Sequence, residues 1–186
     1  MRIRPRWARR LLAGGVCAVA CASGVRPAGA TPVDIAIIKA AFLYNFAKFA
    51  EWPADVLPPG RGLSLCVLDE RAVADALEQT IKGHAIEGHD LGVQVLAPNA
   101  STAGCHLLYI SAAEARRSPQ LIAGLRELPV LTVSDAAAFA ESGGIIQLIV
   151  ENDRMRFAIN PAAADRAKVR LSAKLLSLAR IVKEAR

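Results

Sequence analysis

The chain of 186 residues lacks the sequence motifs that mark most enzymes. It has no Gly-x-Ser-x-Gly nucleophile elbow, no phosphate-binding loop and no dinucleotide-binding fingerprint. The Gly143-Gly144 pair follows a predicted helix, whereas a phosphate-binding loop follows a strand. The sequence therefore predicts a protein that is not an enzyme and that carries no cofactor.

Residues that bind metals are also scarce. His84, His89 and Asp90 fall in one predicted turn, and His106 begins a predicted buried strand. Two histidines five residues apart on a loop, with no nearby third ligand, are weak grounds for a metal site. We therefore predict no metal site.

An excess of positive charge is missing from most of the chain. The formal net charge is +6, but the first 30 residues hold all of this excess, and the rest balances its 17 acids. Nucleic-acid binding requires positive charge on the folded part, so this class of partner is not expected. Acids dominate residues 31–153 and bases residues 154–186. Either these segments pack together and neutralise each other, or the second presents a basic face to an acidic partner or anionic lipid.

The first 30 residues have the three parts of a secretory signal peptide. Arginines crowd the first ten residues, an uncharged run covers residues 11–25, and Ala28-Gly29-Ala30 supplies a cleavage site. The apolar run is short for a membrane span, and no second run follows. We predict an exported chain cleaved near Ala30, in which residues 31–186 form one domain.

Cysteine is scarce, and only Cys66 and Cys105 lie outside the predicted leader. An even pair in an exported protein favours a disulfide bond. The bond would close a loop of about 40 residues, for which chain entropy gives about 4 kcal/mol of stabilisation. Two buried free thiols are the alternative.

Hydrophobic periodicity and turn residues predict alternating helices and strands. The predicted helices cover residues 34–50, 71–82, 112–125 and 135–141, and one or two more follow Pro161. The predicted strands cover residues 63–68, 91–97, 105–111, 129–134, 145–151 and 154–160. This order predicts a single α/β domain with a mainly parallel central sheet, helices on both faces and a C-terminal antiparallel β-hairpin. The two cysteines would lie on neighbouring central strands.

The first predicted helix carries an aromatic and aliphatic stripe. The residues at helical spacing are Ile35, Ile38, Phe42, Phe46 and Phe49. Such a stripe predicts a face packed on the core. Lys39 and Lys48 mark the polar flank, and Tyr44 points elsewhere, which makes it a candidate for contact with another protein.

Asp69, Ser111 and Ser134 each follow a predicted parallel strand and precede a predicted helix. In open α/β sheets, ligands usually bind at the carboxyl ends of such strands. These three side chains therefore indicate an alternative function, a small-molecule-binding protein. Each of them also suits an ordinary helix cap.

An ordered set of short motifs resembles one protein family. The motifs are KAAFLYNFAKFAEWP (39–53), LCVL (65–68), GCHLLYIS (104–111), LPVLTVSD (128–135), GGIIQLIVENDRMRFAIN (143–160) and RLSAKLLSLAR (170–180). In this order and spacing they resemble the YfiR family of periplasmic proteins over nearly all of residues 34–182.

The resemblance implies a periplasmic α/β protein that is not an enzyme. The family's best-known role is to bind the periplasmic sensing domain of an inner-membrane diguanylate cyclase and repress it, which lowers cyclic di-GMP and biofilm formation. An outer-membrane lipoprotein can draw the repressor off. The family's bridge maps onto Cys66 and Cys105, and this chain lacks the second cysteine pair of some members. Whether the chain forms a homodimer is left open.

The predicted hairpin supplies further candidates for a partner surface. They are Glu151, Arg154, Arg156 and Phe157. The alternative is a solvated strand edge whose charges prevent unwanted pairing.

Overall fold

The computed structural model describes residues 31–185, so the predicted leader lies outside the described residues and stays a prediction. The helices are α1 (Pro32–Lys48), α2 (Arg71–Ile81), α3 (Ala112–Arg117), α4 (Pro119–Leu125), α5 (Pro161–Arg166) and α6 (Ala173–Leu178). The strands are β1 (Ala50–Glu51), β2 (Leu63–Leu68), β3 (Ala85–Ile86), β4 (His89–Leu96), β5 (Leu107–Ile110), β6 (Leu131–Ser134), β7 (Ile146–Glu151), β8 (Arg154–Ile159), β9 (Arg170–Leu171) and β10 (Arg180–Ile181). None of the described helices is long and apolar enough to cross a membrane.

One mixed sheet contains eight strands in the order β10-β8-β7-β6-β5-β2-β4-β3. The five strands β4, β2, β5, β6 and β7 are mutually parallel. β8 pairs antiparallel with β7, and β3 pairs antiparallel with β4. The short strands β1 and β9 pair separately. The structure confirms the α/β class, the mainly parallel sheet, the hairpin and the predicted adjacency of β2 and β5.

Helices cover both faces of the sheet, as the sequence predicts. On one face, α1 and α2 pack on a large core that includes Phe46 and Tyr109. On the other face, α3 and α4 pack on a smaller core that includes Leu108, Ile110 and Ile122. Neighbouring residues of β5 enter different cores because side chains alternate along a strand. Strands that are apolar on both faces are typical of a parallel sheet.

The buried face of α1 differs from the predicted one. Its members are Ala36, Lys39, Ala40, Leu43, Phe46 and Ala47. Phe42 and Phe49 are only half-buried, and Ile38 is exposed. The predicted face is therefore rotated relative to the observed one, and the expectation that Lys39 lies on the polar flank is wrong.

Two predicted helices also differ from the structure. Residues 135–141 form turns, because Ala138 has a φ of +57°, a left-handed conformation that an α-helix cannot contain. The predicted helix 112–125 is divided into α3 and α4 at Pro119, since a proline disfavours helical geometry in the residue before it.

Candidate functional site

Four side chains from distant parts of the chain meet at the carboxyl end of the parallel sheet. They are Lys39 of α1, Glu70 after β2, Tyr109 of β5 and Asp135 after β6. Lys39 Nζ lies 2.7 Å from Glu70 Oε1, 2.8 Å from Asp135 Oδ2 and 2.8 Å from Tyr109 Oη. We name this set the lysine network.

Hydrogen bonds join the other members of the lysine network. The Tyr109 hydroxyl accepts from Lys39 and donates to Glu70 Oε2 at 2.6 Å. Asp135 Oδ1 accepts the N–H of Ala112 at 2.9 Å, which links the network to α3. Lys39 and Tyr109 are buried, whereas the side chains of Glu70 and Asp135 are 27% and 26% exposed to solvent.

The surroundings keep Lys39 charged and Tyr109 neutral. Burial alone would lower the pKa of Lys39, but the hydrogen bonds and charges of Asp135 and Glu70 outweigh burial and raise that pKa. Burial, together with the same two carboxylates, raises the pKa of Tyr109 far above its ordinary value. Among the described residues, no buried side-chain nitrogen or oxygen lacks a hydrogen-bond partner. The network therefore ties α1 to the sheet and has the chemistry of a structural clamp.

The three predicted ligand-binding residues lie at the same edge and contact protein groups. Ser111 caps α3, since its hydroxyl accepts a backbone N–H of that helix at 3.2 Å. Ser134 accepts the N–H two residues later at 3.1 Å, within a turn and not at the start of a helix. Asp69 does not cap α2, because the helix begins one residue later than such a cap requires, with Glu70 at the N-cap position; the Asp69 carboxylate pairs with Arg117 instead. None of these contacts favours a small-molecule site, which stays a prediction.

A disulfide bond joins Cys66 and Cys105, whose Cα atoms are 5.8 Å apart. It links β2 to the loop before β5, and both cysteines are buried in the smaller core. The predicted pairing of these two cysteines is confirmed.

A buried histidine follows the disulfide at the amino end of the sheet. His106 Nδ1 accepts the N–H of Ser64 at 3.0 Å, so this nitrogen carries no proton. The indole N–H of Trp52 donates to the His106 carbonyl at 3.1 Å, and the two rings meet edge to face. Burial lowers the pKa of His106, and the positive charge of Arg61 acts in the same direction. We name these residues, with the disulfide, the amino-end cluster.

The histidines considered as metal ligands contact backbone groups. His84 Nδ1 lies 3.1 Å from the Lys82 carbonyl, and His89 Nδ1 lies 2.8 Å from the Arg61 carbonyl. Among residues 31–185, no group of three or more histidine, cysteine, aspartate or glutamate side chains is arranged to hold a metal ion.

Three of the predicted partner-binding residues form a charged surface on the β7–β8 hairpin. Glu151 and Arg154 lie directly opposite each other, and Arg156 follows on the same face of β8. All three side chains are exposed. We name them the hairpin surface.

Phe157 belongs to the core, which corrects the expectation that it lies on this surface. Side chains alternate along β8, so Phe157 points to the face opposite Arg156. Its ring packs edge to face on Phe42 and Phe46, with centroid distances of 5.9 and 5.1 Å. Phe157 therefore anchors the hairpin on α1.

Tyr44 lies on a different side of α1. Its half-buried ring meets His84 edge to face, with centroids 5.5 Å apart. Phe42 faces the hairpin, and residues two apart on a helix point about 200° apart. The structure therefore does not bring Tyr44 together with the hairpin surface.

The sequence patterns missed the lysine network. One signal for it is the position of Lys39, which is three residues from Ala36 and four from Leu43 and so shares their helix face. The other is that Glu70 and Asp135 come within two residues of the ends of predicted strands, which meet at one edge of a parallel sheet.

A comparison with protein families bears on all of these elements. A family model described as YfiR/HmsC-like matches residues 36–180, a range that includes the lysine network, the disulfide and the hairpin surface. A comparison with curated proteins gave no match. The chain belongs to the YfiR/HmsC-like family, whose members are non-enzymatic periplasmic regulators of cyclic di-GMP signalling.

Proposed function

We propose that this protein represses an inner-membrane diguanylate cyclase by binding the periplasmic sensing domain of that enzyme. Repression lowers cyclic di-GMP and biofilm formation. An outer-membrane lipoprotein relieves this repression. The family match over residues 36–180 carries the proposal. The leader predicted over residues 1–30 supports it, because it would export the chain to the compartment of such a domain.

We assign the contact with the cyclase to the hairpin surface. Arg154 and Arg156 are exposed, and the ion pairs found within residues 31–185 include neither. Glu151 is already paired with Arg180 at 3.4 Å. The surface therefore offers positive charge to an acidic partner. Ile149 lies directly opposite Arg156 on the same face, and its half-buried side chain supplies an apolar contact.

The packing beneath the hairpin supports this assignment. Phe157 fixes the hairpin on α1 through two aromatic contacts, with Phe42 and Phe46, whose rings also contact each other within α1. A surface that is already ordered loses little conformational entropy when it binds, so more of the interaction energy appears as affinity.

Repression requires that the protein prefer the inactive state of the cyclase. An equilibrium shift from 1:99 to 99:1 requires about 5.5 kcal/mol of differential binding. A protein interface of about 1,600 Å² with a few well-packed central residues provides this amount.

Site-specific crosslinking tests the proposal. A photoreactive amino acid replaces Arg156 in the native host, and Arg116, an exposed arginine of α3, is replaced in the control strain. After irradiation, we expect the Arg156 derivative to capture a membrane protein that contains a diguanylate cyclase domain, identified by mass spectrometry. The Arg116 derivative should capture much less of it.

Two results would contradict the proposal. Equal capture at both positions would remove the hairpin surface as the contact. Capture of no cyclase at several exposed positions, together with a saturable rise in melting temperature on addition of a small molecule, would favour the ligand-binding alternative.

A further inference from the structure

Basic side chains gather where the end of α1 meets the start of α6. They are Lys48, Lys168, Arg170 and Lys174, and all four are exposed. The pairing of β1 with β9 brings these two segments together, and the Ser172 N–H donates to the Phe49 carbonyl at 3.0 Å. The Lys174 ammonium lies 5.5 Å from the centre of the Phe49 ring. Bases from distant parts of the sequence therefore share one surface.

Few acids offset these four bases. Glu51 pairs with Arg170 at 2.8 Å, and the exposed Asp165 comes three residues before Lys168. The ion pairs found within residues 31–185 include none of the three lysines. This surface therefore carries an excess of positive charge.

An exposed leucine lies on the same side of α6 as Lys174. Leu178 follows Lys174 by four residues, and residues four apart share one face of a helix. Leu178 is 69% exposed, more than any other large hydrophobic side chain among residues 31–185. Ile181, three residues further on, is also exposed. We name Leu178 and the four bases the basic patch.

We propose that the basic patch docks the protein on a membrane surface that carries anionic phospholipid headgroups. The four bases would lie against the lipid phosphates, and Leu178 would enter the boundary between the headgroups and the acyl chains. Bases around an exposed apolar side chain are typical of segments that lie on a membrane surface. The proposal goes beyond the proposed repression, because it requires no cyclase.

The composition of the basic patch favours lipid over a protein as its occupant. Lysine is depleted in protein–protein interfaces, whereas three of the four bases here are lysines. A lysine ammonium binds phosphate as a point charge and needs no fixed geometry, which suits headgroups that move freely in the membrane plane.

The basic patch lies away from the tip of the β7–β8 hairpin. β10 pairs with the Ala158–Ile159 end of β8, and Leu178 comes two residues before the first residue of β10. Arg154 begins β8 at its other end, beside the turn of the hairpin. A protein held on a membrane by the basic patch therefore keeps the tip of the hairpin free for a protein partner.

Flotation of the protein with lipid vesicles tests the proposal. We expect the chain without its predicted leader to bind vesicles of equal parts phosphatidylglycerol and phosphatidylcholine, and not to bind vesicles of phosphatidylcholine alone. Added salt should weaken binding, since it screens the attraction between the bases and the phosphates. No binding to the anionic vesicles, or equal binding to both kinds, would overturn the proposal. Binding to membranes of the native host but not to the anionic vesicles would also overturn it, because a protein would then occupy the basic patch.

Charge reversal tests whether the basic patch makes the contact. A variant with Lys168→Glu and Lys174→Glu should bind the anionic vesicles at least about 25-fold more weakly, because each base near such a surface contributes about fivefold in affinity. The matched control has Lys82→Glu and Arg116→Glu, the same charge change at two exposed bases elsewhere, and its binding should be nearly unchanged. Equal losses in the two variants would overturn the proposal.

A tryptophan reporter tests the insertion of Leu178 and does not depend on the charge variants. The fluorescence of Leu178→Trp, corrected for the emission of the original protein, should move to shorter wavelength when anionic vesicles are added, because the indole leaves water for the membrane boundary. Val150→Trp, at a 65% exposed position beside the tip of the hairpin, should show no such change. Equal shifts in the two variants, or a shift in neither, would overturn the proposed docking.

Discussion

The two ends of the central sheet are held together by different chemistry. At the carboxyl end, the lysine network joins α1 to the loops after β2 and β6 through one buried cation and two carboxylates. At the amino end, a disulfide bond and a neutral histidine join β2 to β5. Both sets connect residues that are distant in sequence, but they respond to different changes in solution conditions.

The pKa shifts place these responses on opposite sides of neutral pH. The folded-state pKa of Lys39 lies above its ordinary 10.5, so its stabilisation is complete below that pH and is lost as the pH rises through the folded pKa. The raised pKa of Tyr109 acts in the same direction above pH 10.0. The lowered pKa of His106 acts oppositely, since its stabilisation is complete above pH 6.5 and is lost as the pH falls through the folded pKa. Alkali should therefore weaken the contacts at the carboxyl end of the sheet, whereas acid and reductant should weaken those at the amino end.

The largest expected effect is the loss of the disulfide. Cys66 and Cys105 are 39 residues apart, and removal of this crosslink should lower the free energy of unfolding by about 4 kcal/mol. Urea unfolding with and without reductant measures the change. A variant with Cys66→Ala and Cys105→Ala serves as the control and should be insensitive to reductant. A reductant-insensitive original protein would show that the amino end does not depend on its crosslink.

Removal of the buried cation should give the next largest effect. Lys39→Met leaves two carboxylates facing each other without a countercharge, and we expect a loss of about 3 kcal/mol in the free energy of unfolding. The matched control is Lys48→Met on the exposed side of the same helix, which should change stability by less than about 0.5 kcal/mol. Equal effects of the two substitutions would contradict the role of the lysine network.

Tyr109→Phe should have a smaller effect and lower the free energy of unfolding by about 2 kcal/mol at pH 7. Lys39 keeps its ion pairs with both carboxylates when the hydroxyl is lost. The same variant should lose less stability than the original protein between pH 9 and about pH 11, since the phenol no longer titrates. Denaturation curves across this range provide the measurement. If the free energy of unfolding of the variant fell as much as that of the original protein over this pH range, the loss of stability in alkali would come from other groups.

The smallest expected effect concerns His106 at acid pH. His106→Asn removes the titrating ring, and its amide oxygen can accept the Ser64 N–H. The variant should lose less stability than the original protein when the pH falls from 7.5 to 5. Only in the original protein does unfolding expose an imidazole ring that then takes up a proton, and this proton uptake favours the unfolded state as the pH falls. A decrease of equal size in both proteins would show that His106 does not set the acid response.

The sequence predicted those elements that local signals determine. The strand at 63–68 has the predicted limits, since Gly62 and Asp69 bound a short run in which only Ser64 is polar. The hairpin was predictable because Asn152 and Asp153 both tolerate positive φ, and they adopt φ of +50° and +57°.

The sequence could not predict contacts between residues brought together only by the fold. Hydrophobic patterning assigns a lysine to the surface, and only the strand order places Glu70 and Asp135 around Lys39. For the same reason the pattern placed Phe157 on the hairpin surface, although the aromatic rings of α1 hold it in the core. The predicted helix at 135–141 failed because local propensity did not indicate the left-handed Ala138.

The level of cyclic di-GMP in cells tests the proposed repression most directly. Deletion of the gene should raise the level of cyclic di-GMP. Expression of the original protein, or of the Arg116→Glu variant, should lower it again to the value before deletion. A variant with Arg154→Glu and Arg156→Glu should be exported and folded but should leave the level high, because it reverses the charge of the hairpin surface. An unchanged level after deletion would contradict the proposed repression, and full repression by the charge-reversed variant would contradict the assigned contact.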